Sequence, residues 1–270
     1  MKRSKRGIWW RRLGWGALGI AGATLMTLGY MWLTLPDVRP LKTKPPESTA
    51  FMRLREAEAV AAGRKPRRVQ RWIPYSRISP TLRRAVLVAE DAAFFDHEGI
   101  DYDELRASIE KNLAKGQIIR GGSTITQQLA KNLYLSPSRN PLRKIKELMI
   151  ARRLEAELSK ARILELYLNL IEWGDGIWGA EAAARTYFNT SASDLTADQA
   201  ALLAGAIINP RIYSPGRPNA RLLRRQKIIL GRMGMVTPPP PTLPADEGVP
   251  SVTLPVAPPT VPPLPTGSGS

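Results

Sequence analysis

The chain has 270 residues, with 40 Lys and Arg against 23 Asp and Glu, one His and no Cys, which gives a formal net charge of +17. A hydrophobic content of 43% is enough for a sizeable core, so the composition excludes a disordered chain. Without cysteine, a disulfide-stapled domain is excluded as well.

The N-terminal region predicts a membrane anchor. Residues 13–36 carry no charge across 24 positions, and about 20 apolar residues suffice to span a bilayer core as a helix. Six cations and no anion lie in the basic segment 1–12, so the positive-inside rule keeps the N-terminus in the cytoplasm. A cleaved signal peptide is the alternative, but it expects a shorter apolar run that ends at a small-residue site. We therefore predict one uncleaved transmembrane helix.

The next segment, residues 37–70, is predicted to be juxtamembrane. Within it, residues 48–60 place apolar and charged residues at helical spacing. Two alternatives remain open for this helix. It lies along the membrane surface, or it is a solvated linker.

Residues 71–234 are predicted to form one domain. A short apolar piece at residues 69–75 is the only strand-like pattern near its start. Ser79 followed by Pro80 combines an N-cap with proline at the first helical position, which predicts a helix over 82–95.

Further helices follow along the domain. Two glycines at 121 and 122 interrupt the chain before Thr124-x-x-Gln127, a capping-box pattern that predicts a helix ending at Tyr134. Apolar residues at helical spacing predict three more helices, around 142–149, 163–168 and 197–208. The predicted fold class is therefore all-α.

The C-terminal segment, residues 235–270, differs sharply in composition. It holds 12 of the 24 prolines of the chain. Proline-rich sequence of this kind stays extended and buries little surface, so we predict a disordered tail.

Two carboxylates stand out as candidates for chemistry. Glu90 ends an apolar helix pattern next to aromatic residues, where partial desolvation would raise its pKa toward the range of a general base. Glu147 shares a helix face with Arg143 and Lys144. The alternatives are an exposed helix-end acid for Glu90 and an ordinary surface ion-pair ladder for Glu147.

Five segments in order resemble the motifs of the peptidoglycan glycosyltransferases, glycosyltransferase family 51. The third motif contains Glu147, and the second, GGSTITQQ, is highly specific. The segments are EDAAFFDHEGID (90–101), GGSTITQQLAKNLYL (121–135), RKIKELMIARRLE (143–155), ILELYLNLIEWGDGIWGAEAAARTYF (163–188) and AALLAGAIINP (200–210). With a membrane anchor and no penicillin-binding domain after it, the chain is similar to the monofunctional members of this family.

The resemblance implies a lysozyme-like, mostly helical catalytic domain. Enzymes of this family polymerise lipid II, a disaccharide-pentapeptide on undecaprenyl diphosphate, into β-1,4-linked glycan strands by a single inverting transfer. The implied location is the outer face of the bacterial inner membrane, with the catalytic domain in the periplasm. The implied role is in cell wall biosynthesis.

The resemblance also implies roles for individual residues. Glu90 matches the general base, and Glu147 matches a second acid that orients the cations or a divalent metal. The residues implied to bind the donor diphosphate are Lys131, Arg139, Arg143 and Lys144, and the polar residues implied to reach sugar or phosphate are Gln128, Ser123, Thr124 and Asn169. For Gln127 two roles stay open, reaching sugar or phosphate or only capping its helix, and the same alternative holds for Ser123 and Thr124. His97 is expected to be structural.

No organic cofactor is expected, and a divalent cation, Mg²⁺ or Mn²⁺, at the lipid diphosphate is left open. The implied partners are lipid II, the growing lipid-linked glycan and membrane lipids, together with cell-wall synthesis or division proteins as an open expectation. A basic chain usually suggests nucleic-acid binding, which a periplasmic position argues against. A lysozyme-like hydrolase and a non-catalytic membrane scaffold remain as alternative functions.

Overall fold

The computed structural model describes residues 5–115, 122–138 and 140–235. Its helices are α1 (Lys5–Leu33), α2 (Ala50–Ala61), α3 (Pro80–Glu90), α4 (Tyr102–Lys115), α5 (Ile125–Tyr134), α6 (Pro141–Glu157), α7 (Lys160–Leu170), α8 (Ala180–Phe188), α9 (Ala197–Ala206) and α10 (Ala220–Arg232). Its strands are β1 (Val69–Gln70), β2 (Glu172–Gly174) and β3 (Ile177–Trp178). The predicted mainly helical fold is confirmed. The predicted proline-rich tail lies outside the described residues from position 236 onward.

Helix α1 contains the predicted anchor. Its segment Gly14–Leu33 is 20 residues long and apolar enough to cross a membrane, and its side chains are almost all exposed. Because an exposed apolar helix is unfavourable in water, this exposure is consistent with burial in lipid.

The starts of the helices follow the capping residues in the sequence. Ser79 Oγ accepts a hydrogen bond from Leu82 N at 3.0 Å at the start of α3. Thr124 Oγ1 accepts from Gln127 N at 3.2 Å at the start of α5. Each bond satisfies a helix N–H that has no partner within its own helix.

The predicted end of the first domain helix is wrong. Helix α3 ends at Glu90 rather than Phe95, because Asp91 leaves the helical conformation with φ −168° and ψ 81°. The Asp91 carboxylate accepts the backbone N–H of Ile125 at 2.9 Å, so a contact from another part of the chain ends the helix. Residues 92–98 form turns that bring Gly99 against the start of α5.

Helix α7 forms the centre of the domain. Every residue from position 161 to position 170 is buried, so this helix is enclosed on all sides by its neighbours. Helices α5, α6 and α8 all pack against it. Because α7 contacts all three, it fixes the positions of α5, α6 and α8 relative to one another.

A small sheet closes one side of the core, in the order β1-β3-β2. Strand β1 pairs in parallel with β3, and β2 pairs antiparallel with β3. Gly179 follows β3 with φ +84°, and a Cβ at this position would lie 2.7 Å from the carbonyl oxygen of Asn169. Only glycine fits this junction between the sheet and α8.

The juxtamembrane segment packs onto the domain. Val38 and Met52 are buried in the same hydrophobic cluster as the domain core. Arg55 Nε donates to Glu172 at 2.9 Å, and Arg162 Nε donates to the carbonyl oxygen of Leu41 at 2.8 Å. Helix α2 is therefore part of the folded domain, which excludes the solvated linker, one of the two alternatives for this helix.

Candidate active site

Glu90 is the last residue of α3 and lies half-buried at the surface of the domain. Gln128 Nε2 donates a hydrogen bond of 2.9 Å to Glu90 Oε2, and Tyr167 OH donates one of 2.8 Å to Gln128 Oε1. The buried tyrosine fixes the orientation of the Gln128 amide, which presents its N–H₂ group to the carboxylate. The sequence prediction that Glu90 and Gln128 belong to one site is therefore consistent with their contact.

Burial raises the pKa of Glu90 above the usual range of a glutamate, because desolvation disfavours the charged carboxylate. The hydrogen bond from Gln128 and the positive charges of Arg225 and Lys131 oppose this rise in pKa. The carboxylate is thus more basic than one in water and keeps a fixed hydrogen-bond donor.

Asp91 joins the end of α3 to the start of α5. Its carboxylate accepts the Ile125 N–H at 2.9 Å and contacts His97 Nε2 at 3.0 Å. Gly99 N donates to His97 Nδ1 at 3.1 Å, so the hydrogen-bond network places the imidazole proton on Nε2. The expected structural role of His97 agrees with this geometry.

A cluster of charged residues lies on α6. Glu147 is buried, and its two oxygens accept from Arg143 Nη1 and Lys144 Nζ, each at 2.5 Å. Lys144 Nζ also donates to Gln127 Oε1 at 2.8 Å and to Ser123 Oγ at 3.3 Å. The contacts of Lys144 connect α6 to the first turn of α5.

The charges of both acids, Glu147 and Glu90, act on Lys131. Desolvation lowers the pKa of its ammonium group, and the charges of Glu147 and Glu90 partly oppose this change in pKa. Its Nζ lies 5.7 Å from the centre of the Phe51 ring. Within the described residues, no carboxylate forms an ion pair with it. A desolvated ammonium group without a paired carboxylate favours an anionic ligand.

The other predicted site residues differ in their exposure and in their contacts. Arg139 lies outside the described residues. Ser123 is exposed next to Lys144, whereas Thr124 is buried and donates its hydroxyl proton to Gly99 O at 2.7 Å. Asn169 is fully buried, and its side chain bonds the backbone of Ile73, so its implied contact with a substrate is contradicted.

Two residues of this region have contacts that go beyond their sequence patterns. The Gln127 side chain accepts from Lys144 and donates to Gly99 O at 3.2 Å, so it does more than cap its helix. Asp91 received no role, although it directly follows Glu90 and is 4% exposed. An acid next to the candidate base in an apolar pattern was the signal that could have identified it.

The arrangement combines one basic carboxylate with several fixed cations. Such a site can take a proton from a nucleophile and stabilise negative charge on a departing group. The carboxylate oxygens in this cluster do not suit a resident divalent metal, because both oxygens of Glu147 already accept hydrogen bonds from Arg143 and Lys144. Asp91, His97 and Asp101 also lie close together, but His97 donates its proton to Asp91 and has its other nitrogen occupied.

Comparison with known proteins gives a consistent result. A family model described as Transglycosylase matches residues 57–234. A biosynthetic peptidoglycan transglycosylase of Laribacter hongkongensis is 46% identical over 224 residues, which cover 83% of this chain and 98% of the relative. Proteins with the same name from Thiobacillus denitrificans (46% over 231 residues, 85% of this chain and 98% of the relative) and Chromobacterium violaceum (54% over 166 residues, 62% and 73%) are also similar.

Proposed function

The chain belongs to the transglycosylase family, and from this membership we propose that it uses lipid II as its substrate and releases undecaprenyl diphosphate. As a member of the family, it is a peptidoglycan glycosyltransferase with a lysozyme-like domain that polymerises glycan strands in cell wall synthesis. The observation that carries the substrate proposal is that α5 contacts both acids' surroundings: its Gln128 donates to Glu90, and its Gln127 accepts from Lys144, which also pairs with Glu147.

In the proposed reaction, Glu90 acts as the general base. It takes the proton from the 4-hydroxyl of the acceptor sugar while that oxygen attacks the anomeric carbon of the donor. The raised pKa of Glu90 strengthens it as a base. Gln128 holds the carboxylate in place through its 2.9 Å hydrogen bond, so the base meets the acceptor in one orientation.

The cations have the complementary role at the donor. As the bond between the anomeric carbon and the diphosphate breaks, negative charge grows on the diphosphate oxygens. Lys131, Arg143 and Lys144 are proposed to receive this charge, since fixed cations stabilise a departing anion without reorganising. Arg139 joins this group through the family resemblance alone. Because one bond forms as one breaks, the α-linked donor gives a β-1,4 bond.

Glu147 is proposed to act by positioning two of these cations. Its buried carboxylate holds Arg143 and Lys144 at 2.5 Å each. A divalent cation, Mg²⁺ or Mn²⁺, is proposed only as an ion that arrives with the diphosphate, because both oxygens of Glu147 are already paired.

We place the enzyme at the bacterial inner membrane, with α1 as its single span. The apolar segment Gly14–Leu33 supports an anchor, and the basic residues that precede it support a cytoplasmic N-terminus. The catalytic domain then lies in the periplasm, next to a lipid-linked substrate. Cell-wall synthesis or division proteins are proposed as neighbours there.

The test is an assay with two substrates. The full chain, reconstituted in lipid vesicles, is incubated with lipid II and, separately, with finished glycan. We expect it to lengthen the first into strands and to leave the second intact. Cleavage of finished glycan without growth from lipid II would instead identify a hydrolase, and no reaction with either would favour a scaffold.

A further inference from the structure

Two hydrogen bonds in series lead from the buried centre of the domain to the candidate base. Tyr167 lies on α7 with no exposed surface, and its hydroxyl donates to Gln128 Oε1 at 2.8 Å. Gln128 Nε2 donates in turn to Glu90 Oε2 at 2.9 Å. Because Tyr167 has no surface through which a substrate could touch it, any influence on the reaction passes through Gln128.

The chemistry of the three groups sets the direction of both bonds. An ionised carboxylate only accepts hydrogen bonds, so the Gln128 amide presents its N–H₂ group to Glu90 and its oxygen to Tyr167. Burial raises the pKa of Tyr167 well above its usual value, and the negative charge of Glu90 adds to this rise in pKa. The phenol therefore keeps its proton and stays a donor at neutral pH.

The opposite orientation of the amide is unfavourable for two reasons. It turns the Gln128 oxygen toward Glu90, where only a protonated carboxyl group could bond it. It also leaves the Tyr167 proton without an acceptor, because this hydroxyl has no other hydrogen bond among the described residues. A buried donor without a partner costs free energy, so the hydroxyl selects the orientation that matches an ionised Glu90.

We infer that Tyr167 is a positioning residue for glycosyl transfer, because its hydroxyl holds the Gln128 amide in the orientation that binds an ionised Glu90. This inference rests on the proposed function, in which Glu90 is the general base. The hydrogen bond from Gln128 lowers the pKa of Glu90. Weakening that bond should therefore raise the pKa of Glu90 and leave more of the base protonated.

Other charged groups also face Glu90. They are Arg225 on α10, Lys131 on α5, the neighbouring Asp91, and Asp101 and Glu104, which line a small cavity together with Glu90. Within the described part of the chain, none of them shares a hydrogen bond with the Tyr167 hydroxyl. Tyr167→Phe therefore leaves their charges in place and tests the hydroxyl alone.

The experiment follows the charge of Glu90 directly. The full chain is prepared in detergent micelles with ¹³C in its glutamate carboxyl groups, and NMR records the titration midpoint of the signal that Glu90→Gln removes. The test variant is Tyr167→Phe, which keeps the ring in the core. Tyr187→Phe is the matched control, because the Tyr187 hydroxyl also donates one hydrogen bond, to the Trp173 carbonyl oxygen at 3.2 Å.

In Tyr167→Phe we expect the midpoint of Glu90 to rise by about 0.5–1 pH unit, which corresponds to the loss of one neutral hydrogen bond. The acid limb of kcat/KM for lipid II should move to higher pH by the same amount. Below the midpoint, kcat/KM should therefore fall by about 3–10-fold. Tyr187→Phe should keep the wild-type midpoint and the wild-type limb, even where its Tm falls.

A second variant tests whether Tyr167 acts through Gln128. Gln128→Ala removes the amide from a half-buried position, so the midpoint of Glu90 should rise at least as far as in Tyr167→Phe. Adding Tyr167→Phe to Gln128→Ala should raise the midpoint no further.

Two results would overturn the inference. One is an unmoved Glu90 midpoint in Tyr167→Phe, and the other is an equal rise of the midpoint with and without the Gln128 amide. A wild-type chain that leaves lipid II unchanged would overturn the proposed function and, with it, the role of Tyr167 in catalysis. The titration midpoint needs no turnover, so it separates this result from a failed link between Tyr167 and Glu90.

Discussion

At the scale of single residues, the site depends on two desolvated groups of opposite charge. Burial raises the pKa of Glu90 and lowers the pKa of Lys131, and each group opposes the shift in the other. Each charge acts on the other group, although no ion pair joins Glu90 to Lys131 among the described residues. Glu90 can therefore accept a proton while Lys131 is free to bind an anion.

Replacing Glu90 by Gln should nearly abolish polymerisation and leave the fold intact. General base catalysis is worth about 10²–10⁴ in rate, so kcat should fall by that factor. Because burial raises the pKa of Glu90, its charged form destabilises the folded state at neutral pH, and the neutral amide removes this cost. Circular dichroism during thermal unfolding should show a Tm that is not lowered. A variant that retains more than a tenth of wild-type kcat would refute the assignment of the base.

Replacing Lys131 by Ala should lower kcat/KM for lipid II. The loss of one positioned charge at a developing anion costs about 10²–10³ in rate. Lys227 on α10 is exposed, so Lys227→Ala is a matched control that should retain wild-type kcat/KM. Equal rates for both variants in the polymerisation assay would remove Lys131 from the diphosphate site.

The pH dependence of kcat/KM should have two limbs. Activity should rise with pH through the raised pKa of Glu90, because the base works only when deprotonated, and fall at higher pH through the lowered pKa of Lys131. In Lys131→Arg the guanidinium stays charged, so the alkaline limb should move to higher pH. An unchanged alkaline limb in this variant would show that another group causes it.

At the scale of elements, the end of α3 and the start of α5 form a single joint. Asp91 holds the first N–H of α5 while Gln128, one turn later, contacts Glu90. The Asp91 carboxylate also lies at the N-terminal, positive end of the α5 dipole, where negative charge is stabilising. The distance between Glu90 and the α5 residues therefore depends on Asp91.

Replacing Asp91 by Asn should weaken this joint. The amide offers one oxygen to two donors, the N–H of Ile125 and the Nε2–H of His97, so one buried donor loses its partner. We expect the free energy of unfolding to fall by about 1–3 kcal/mol in urea denaturation, together with a lower kcat. Asp103→Asn, at an exposed position in the first turn of α4, is the control and should leave both unchanged. Equal stability of the two variants would contradict the role of Asp91.

How much of these elements the sequence predicts depends on how local each signal is. The starts of α3 and α5 follow from Ser79 and Thr124, because a cap bonds an N–H only three residues away. The end of α3 and the bonds of Gln127 depend on residues more than ten positions distant, so no local pattern contains them. The apolar surroundings make Glu90 a candidate, whereas its role as the base and the roles of the cations come from the family motifs.

At the scale of the whole molecule, the domain begins earlier than its sequence pattern indicates. One hydrophobic cluster extends from Val38 to Met233, although the helical spacing that predicted the domain begins only after position 70. Scattered apolar residues in a charged segment give no periodic signal, so the burial of Val38 and Leu41 appears only when the chain folds back onto α7.

Two truncations test whether this segment stabilises the domain. Deleting residues 1–36 removes α1 and keeps Val38 and Leu41, whereas deleting residues 1–45 removes both. Burying each such side chain is worth about 1.5–3 kcal/mol, and Arg162 also loses the Leu41 carbonyl as a partner. The longer deletion should therefore lower the free energy of unfolding by about 3 kcal/mol or more relative to the shorter one, measured by urea denaturation. If both truncated chains unfold at the same urea concentration, residues 37–45 contribute nothing to the stability of the core.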